Sequence, residues 1–130
     1  MTHERAQDHN IMLIVEDQAL MRSTLRGHLR EAFPDLTIIE AANGARAIEM
    51  CAAHRPLLVL MDISLPDANG IDLTAQIREM LPDTRVIVVS AHEDPAYVTR
   101  AQAAGAIAYV IKDHLYRDLV PAVSKALDRA

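Results

Sequence analysis

Aromatic residues are scarce in this 130-residue chain, which has three tyrosines, one phenylalanine and no tryptophan. We therefore expect neither a stacking platform for nucleic-acid bases nor an aromatic cage for a cationic ligand. Basic residues are also fewer than acidic ones, since the chain has 13 lysines and arginines and 18 acidic residues, which gives a net charge of -5. Surfaces that bind nucleic acid are usually basic, so this composition predicts that the chain binds none.

Cysteine occurs once, at Cys51, so no internal disulfide can form, and the composition fits the reducing cytoplasm. No apolar run reaches the roughly 18 residues of a transmembrane helix, and the polar start leads into no signal-peptide core, so no membrane association is expected. Hydrophobic residues nevertheless make up 51% of a length that suits one domain. We expect a polar tail at residues 1–9 and a single globular domain at 10–130.

Short apolar runs alternate five times with stretches of helical periodicity. The predicted strands cover residues 11–15, 37–39, 57–61, 86–89 and 107–111, and a predicted helix follows each of them. Several of these strands are apolar throughout, which is typical of a parallel sheet covered by helices on both faces. With right-handed crossovers, the pattern predicts a doubly wound α/β sandwich.

Three residues indicate where predicted helices begin or end. Asn43 is interpreted as the N-cap of the second helix, because the residues after Asn43-Gly44 have helical spacing and do not alternate as in a hairpin. Gly105 is predicted to end the fourth helix. Pro121 fits a helix only in its first turn, so the last helix is predicted to start near residues 116–118.

Polar side chains follow the predicted strands, at the sheet edge where ligands bind in open parallel sheets. Glu16 and Asp17 come after the first strand, Asp62 after the third, Ser90 after the fourth and Lys112 after the fifth. Taken singly, each also fits an ordinary role as a loop residue, turn former, helix cap or surface residue. Their joint position at one edge favours a functional site.

The chemistry of these side chains suits phosphoryl transfer. Three neighbouring carboxylates repel one another, and one of them would bind a proton unless a cation joined the cluster. Lys112 supplies one positive charge, and Mg²⁺ or Mn²⁺, which prefer oxygen ligands, would supply the rest. Metal and lysine would neutralise phosphoryl oxygens while Asp62 acts as the nucleophile and forms an acyl phosphate.

An ordered set of motifs resembles the receiver domain of two-component response regulators. The matching residues are Val15-Glu16-Asp17, the series Asp62, Pro66 and Gly70 at intervals of four, Ser90-Ala91, and the segment 105–112. The resemblance spans about Ile11 to Leu127 and so places a receiver domain at residues 10–130. It implies a flavodoxin-like three-layer sandwich whose five parallel strands have the order 2-1-3-4-5.

The resemblance also implies a metal site and a phosphoryl donor. Asp62 would accept a phosphoryl group from the phosphohistidine of a sensor histidine kinase or phosphotransfer protein, or from a small acyl phosphate. Glu16, Asp17, Asp62 and the backbone carbonyl of Ser64 would hold Mg²⁺, with Glu16 acting through water. Lys112 would pair first with Asp62 and then with the phosphoryl oxygens.

Switching residues and an output surface are implied in the same way. Ser90 would bond a phosphoryl oxygen, and Tyr109 matches the switch aromatic of the family. We favour the switch role of Tyr109 over the alternative of a half-buried strand aromatic. The fourth helix, fifth strand and fifth helix would contact an unknown output partner or a second copy of the chain. The candidate contacts on this surface are Tyr97, Arg100, Tyr109 and Tyr116.

Two positions near the predicted site vary in this family and tune the lifetime of the phosphoryl group. They are Ser64, two residues after the aspartate, and His92, two residues after the serine. We hypothesise that His92 lies at the mouth of the site, and an exposed loop histidine is the alternative.

Two other functions compete with a switch that weakly catalyses its own phosphorylation and dephosphorylation. One is a protein-interaction module that works without phosphorylation, and the presence of all five site residues counts against it. The other is a Mg²⁺-dependent phosphatase, which would place an Asp-x-Asp pair after the first strand. Here the candidate nucleophile Asp62 follows the third strand, and Ile63-Ser64 offers no second acid.

The segments 62–66 and 112–115 are most similar to receivers that precede a LuxR-type helix-turn-helix. These 130 residues contain no basic helix-turn-helix of their own. We therefore expect output through a partner protein or self-association and not through DNA binding by this chain.

Overall fold

The fold follows the predicted alternation of strands and helices. A computed structural model describes residues 10–128, and the predicted tail at 1–9 lies outside the described residues. The elements are β1 (Ile11–Val15), α1 (Ala19–Ala32), β2 (Thr37–Ala41), α2 (Gly44–His54), β3 (Leu58–Met61), α3 (Gly70–Met80), β4 (Arg85–Ser90), α4 (Pro95–Ala104), β5 (Ala108–Ile111) and α5 (Leu115–Ala126). Across the part of the chain that is described, no helix is both long and apolar enough to cross a membrane.

The five strands form one parallel sheet in the order β2-β1-β3-β4-β5, which confirms the predicted doubly wound topology. The register sets Val15, the last residue of β1, beside Ala41 of β2 and Met61 of β3. The residues that follow these strands therefore leave the sheet at the same level.

The continuous apolar strands separate two buried layers. Met12 and Ile14 pack with residues of α1 and α5 on one face of the sheet, whereas Leu13 and Val15 pack with residues of α2 and α3 on the other. Each of these four side chains is at most 1% exposed. Burying such a side chain contributes about 1.5–3 kcal/mol, so both faces of β1 hold the sheet in place.

Two predicted helix ends are confirmed. The Asn43 side chain accepts a hydrogen bond from the Arg46 amide at 2.8 Å, as an N-cap should. Gly105 has φ 109°, in the left-handed region that favours glycine, and it ends α4.

The prediction that Pro121 lies in the first turn of the last helix is wrong. A 3-10 turn at Lys112–His114 leads directly into α5, which begins at the buried Leu115 and places Pro121 in the second turn. Pro121 has no N–H to donate to the carbonyl of Arg117, and both residues are exposed, so water can bind that carbonyl. Burial of Leu115 in the core favours the earlier start.

Cys51 is fully buried between α2 and the sheet, and this burial raises the pKa of its thiol to about 11. Because the thiolate is the reactive form, we expect the native protein to resist alkylation by iodoacetamide at about pH 8. The urea-unfolded protein should be alkylated once, as intact mass spectrometry would show. Equally fast labelling of the native protein would contradict the buried position.

Candidate functional site

Carboxylates from two neighbouring strands meet at the carboxyl edge of the sheet. Glu16, Asp17 and Asp62 each offer an oxygen atom, and these atoms all lie within 4.8 Å of one another. The parallel pairing of β1 with β3 causes this proximity, because the three residues directly follow the paired residues Val15 and Met61. Glu16 and Asp62 are 1% and 6% exposed, whereas Asp17 is exposed to solvent.

One ammonium group faces these carboxylates. The Lys112 Nζ lies 2.7 Å from Glu16 Oε1 and 3.5 Å from Asp62 Oδ1. The family resemblance implies a pair between Lys112 and Asp62, and the structure places the ammonium nearer to the more deeply buried Glu16. Among the described residues, Lys112 is the cation that forms ion pairs with these carboxylates, so one positive charge faces three negative charges in the cluster.

Asp62 is a weaker acid in this cluster than an ordinary aspartate. Burial raises the pKa of the Asp62 carboxyl to about 6, and repulsion from Glu16 adds to the effect. The Lys112 ammonium and the backbone amide of Ser64, which donates to the Asp62 carboxylate, act in the opposite direction. A further cation beside Asp62 would favour its ionised form.

The donor set therefore fits a hard divalent cation. Carboxylate oxygens are the ligands that Mg²⁺ and Mn²⁺ prefer, and Asp17 is exposed, so the cluster is open to solvent on that side. The family resemblance also implies the backbone carbonyl of Ser64 as a ligand. Ser64 stands in the β3–α3 loop (residues 62–69), two residues beyond Asp62, and pairs with Asn69 across this loop.

A close backbone contact fixes the β3–α3 loop at its end. The Gly70 amide donates to the Ile63 carbonyl at 2.8 Å, and a Cβ atom on Gly70 would lie only 2.0 Å from the carbonyl oxygen of Asp62. The φ angle of Gly70 is not in the left-handed region, so the backbone conformation alone would accept another residue. Glycine is required here because any Cβ atom would clash with the carbonyl of Asp62. The first turn of α3 thus rests directly on the backbone of Asp62.

The same loop is tied to α2 by a residue that the sequence analysis missed. The Asp67 carboxylate accepts hydrogen bonds from the backbone amides of Gly44 at 2.7 Å and Ala45 at 3.0 Å. These two bonds at a helix N-terminus lower the pKa of Asp67. The β3–α3 loop therefore shares its conformation with the first turn of α2.

His92 lies at the mouth of the site, as hypothesised. Its Nε2 is 3.2 Å from Ser64 Oγ, and its ring stacks on that of Tyr97 with centroids 4.3 Å apart. Its backbone is held as well, because the His92 amide donates to Ser90 Oγ at 3.1 Å and the His92 carbonyl accepts from the Tyr109 hydroxyl at 2.8 Å. Ser90, fully buried, and Tyr109 are therefore linked through one residue.

The four predicted output contacts do not form one cluster. Tyr97 and Tyr109 both contact His92, and the Arg100 guanidinium carbon lies 5.7 Å from the Tyr97 ring centre. Tyr116 instead contacts His28 of α1 edge to face, at 4.4 Å between ring centres. The first three residues share one surface, whereas Tyr116 belongs to the α1–α5 side.

A family model, that of the response regulator receiver domain, matches residues 12–124 of the chain. The chain belongs to this family. Receiver domains of response regulators are phosphorylated by histidine kinases and bind Mg²⁺, and the carboxylate cluster of this receiver domain could hold a metal ion.

Similar proteins support this membership. The transcriptional regulatory protein PdtaR of Mycobacterium tuberculosis is 38% identical over 120 residues, which are 91% of this receiver domain and 57% of PdtaR. The chain thus spans little more than half the length of this relative.

Solved structures agree with the sequence comparison. A two-component response regulator of the LuxR family from Aurantimonas sp. SI85-9A1 aligns with a TM-score of 0.84 and 30% identity, over 92% of this receiver domain and 86% of that chain. The response regulator TrrA of Thermotoga maritima, solved in complex with Mg(2+)-BeF, aligns with a TM-score of 0.80 and 26% identity, over 90% of this chain and 98% of that one.

Proposed function

We propose that this receiver domain is a phosphorylation-controlled switch in which Asp62 accepts a phosphoryl group from the phosphohistidine of a sensor histidine kinase or a phosphotransfer protein. The observation that carries the proposal is the environment of Asp62. Its carboxylate is buried, lies 3.5 Å from the Lys112 ammonium and belongs to a cluster with two further acids. Such a group is a nucleophile with charge stabilisation already in place. We expect the switch to act in the cytoplasm.

We further propose that Glu16, Asp17, Asp62 and the Ser64 carbonyl hold Mg²⁺, with Mn²⁺ as a substitute. The oxygen donor set and the excess of negative charge around Asp62 support this assignment. When bound, the metal supplies positive charge to the phosphoryl oxygens.

The residues of the chain have distinct tasks in the transfer. An Asp62 carboxylate oxygen forms a bond to phosphorus while the phosphorus–nitrogen bond breaks, and its electron pair stays on the donor imidazole. The Lys112 ammonium then pairs with phosphoryl oxygens. Ser90 Oγ accepts the amide of His92, and its hydroxyl would exchange its present hydrogen bond with Tyr109 for one to a phosphoryl oxygen.

The contacts of His92 would transmit phosphorylation of Asp62 to the output surface. When Ser90 turns toward a phosphoryl oxygen, the bonds that Ser90 and Tyr109 make to the His92 backbone come under strain, which couples the site to α4 and β5. We propose that the surface of α4, β5 and α5 contacts an output partner or a second copy of the chain.

The protein should be incubated with acetyl phosphate and Mg²⁺ and weighed intact. We expect one added phosphoryl group that is labile to base and absent when EDTA replaces Mg²⁺. Reduction with borohydride before proteolysis should mark Asp62 in the peptide that contains it. If no donor, including a phosphorylated kinase, adds mass, the alternative of a phosphorylation-independent interaction module would replace this proposal.

A further inference from the structure

Arg22 of α1 connects the carboxylate cluster to the neighbouring strand β2. Its Nη1 donates to the backbone carbonyl of Glu16 at 2.8 Å and more weakly to that of Asp17 at 3.4 Å. Its Nε donates to Glu40 Oε1 at 3.0 Å, at the end of β2. The Arg22 side chain is 21% exposed, so these bonds are partly shielded from water.

Glu40 is held from two sides. Arg26, one turn further along α1, forms an ion pair with the other carboxylate oxygen of Glu40. Arg26 therefore shares the acidic partner of Arg22. Its other described hydrogen bond goes to Ser23 Oγ at 3.5 Å, so it has no described bond to the β1–α1 loop at residues 16–18 that Arg22 holds. The chain thus contains a matched control for Arg22.

We propose that Arg22, oriented by Glu40, is a positioning residue that sets the Mg²⁺ affinity of the cluster of Glu16, Asp17 and Asp62. This inference rests on the proposed metal-dependent function. The side-chain directions of Glu16 and Asp17 depend on the backbone that the guanidinium holds, and ligands already in place lose less freedom when the ion binds. Glu40 offsets the positive charge of Arg22, which would otherwise repel the cation.

Arg22→Ala, Arg22→Lys and Arg26→Ala should be titrated with MgCl₂ and followed by amide chemical shifts. We expect Arg22→Ala to bind Mg²⁺ about tenfold more weakly, as is typical when a group that orients metal ligands is removed. Arg22→Lys should fail to restore binding, because one ammonium lacks the fork that reaches both the carbonyls and Glu40. Arg26→Ala should stay within about twofold of the wild type.

Phosphorylation by acetyl phosphate gives a second readout. In Arg22→Ala the Mg²⁺ concentration for half-maximal rate should rise about tenfold, while the rate at saturating Mg²⁺ stays within about twofold of the wild type. A loss of folded protein would instead lower the rate at every Mg²⁺ concentration. Urea unfolding in EDTA measures the free energy of unfolding of the Arg22 and Arg26 variants and so detects such a loss independently of Mg²⁺ binding.

Glu40→Gln provides an independent variant of similar shape. It removes the charge that offsets Arg22 and should also weaken Mg²⁺ binding. The inference is wrong if Arg22→Ala binds Mg²⁺ as the wild type does, or if Arg26→Ala loses as much affinity, and either result leaves the proposed function intact. If the wild type itself binds no Mg²⁺, the inference and the metal-dependent part of the proposed function both fail.

Discussion

Asp62→Asn is expected to abolish phosphorylation by acetyl phosphate and to stabilise the metal-free fold at the same time. The first effect follows because an amide cannot form the acyl phosphate. The second follows because the variant removes a buried negative charge next to Glu16, and this charge is unfavourable enough to raise the pKa of Asp62 to about 6.

The sign of the pH dependence follows from this raised pKa. The carboxyl of Asp62 titrates at about 6 in the folded protein against 3.8 in its ordinary environment. Its favourable contribution is therefore complete below the lower value and is lost as the pH rises through the higher one. In EDTA near pH 8 we expect Asp62→Asn to raise the free energy of unfolding by about 1–2 kcal/mol.

Urea unfolding at several pH values measures this gain. It should shrink as the pH falls from about 8 to about 5, because wild-type Asp62 then binds its proton in the folded state. Saturating Mg²⁺ should stabilise the wild type more than Asp62→Asn, since the variant lacks one proposed ligand. A variant that is less stable than the wild type in EDTA at about pH 8, or that still gains a base-labile phosphoryl group, would refute this account of Asp62.

Gly70→Ala is expected to lower the free energy of unfolding by about 3 kcal/mol, which is the upper end of the usual cost of overpacking a buried position. The added methyl group would lie 2.0 Å from the carbonyl oxygen of Asp62 and 2.8 Å from the Cα atom of Ile63. Both neighbours are backbone atoms, so no side-chain rotation can relieve the clash. Either the first turn of α3 or the backbone of Asp62 must shift.

A shift of Asp62 also predicts a loss of activity. Misplacing a reacting group by about 1 Å can cost about 100-fold in rate, and we expect a fall of this order in phosphorylation of the folded variant. The rate should be measured with acetyl phosphate at a temperature where circular dichroism shows the variant folded.

Gly27→Ala is the matched control for this substitution. Gly27 lies within α1, and apart from its chain neighbours and the adjacent backbone of its own helix no described atom lies within 4 Å of the position of an added Cβ. Alanine there should raise the free energy of unfolding by about 0.5–1 kcal/mol through helix propensity alone. If Gly70→Ala behaved like Gly27→Ala in stability and rate, the close approach at Asp62 would be disproved.

Local patterns were enough to predict a parallel sheet with acids at one edge, and the family resemblance supplied the strand order. Apolar runs that end in acids, with parallel pairing, bring Glu16 and Asp62 to the same edge, and the caps at Asn43 and Gly105 follow from short-range rules. Pro121 was misplaced because burial of Leu115, a tertiary effect, outweighed the local preference of proline for a first turn.

The contacts that refine the site could not be predicted in this way. Arg22 meets Glu40 only because β2 lies beside β1, and Asp67 meets the first turn of α2 only through the path of the β3–α3 loop. Charged residues on helix faces and in loops are usually solvated, so the sequence carries no signal that separates these residues from their neighbours.

The contacts of His92 have a practical consequence for observing the protein in solution. The chain has no tryptophan, so its three tyrosines account for its near-ultraviolet fluorescence. Tyr97 stacks on the ring of His92 and Tyr109 donates to its carbonyl, whereas only Tyr116 lies elsewhere, beside His28. Two of the three natural fluorophores thus touch one residue at the mouth of the site, and the unlabelled protein carries its own optical probe of that region.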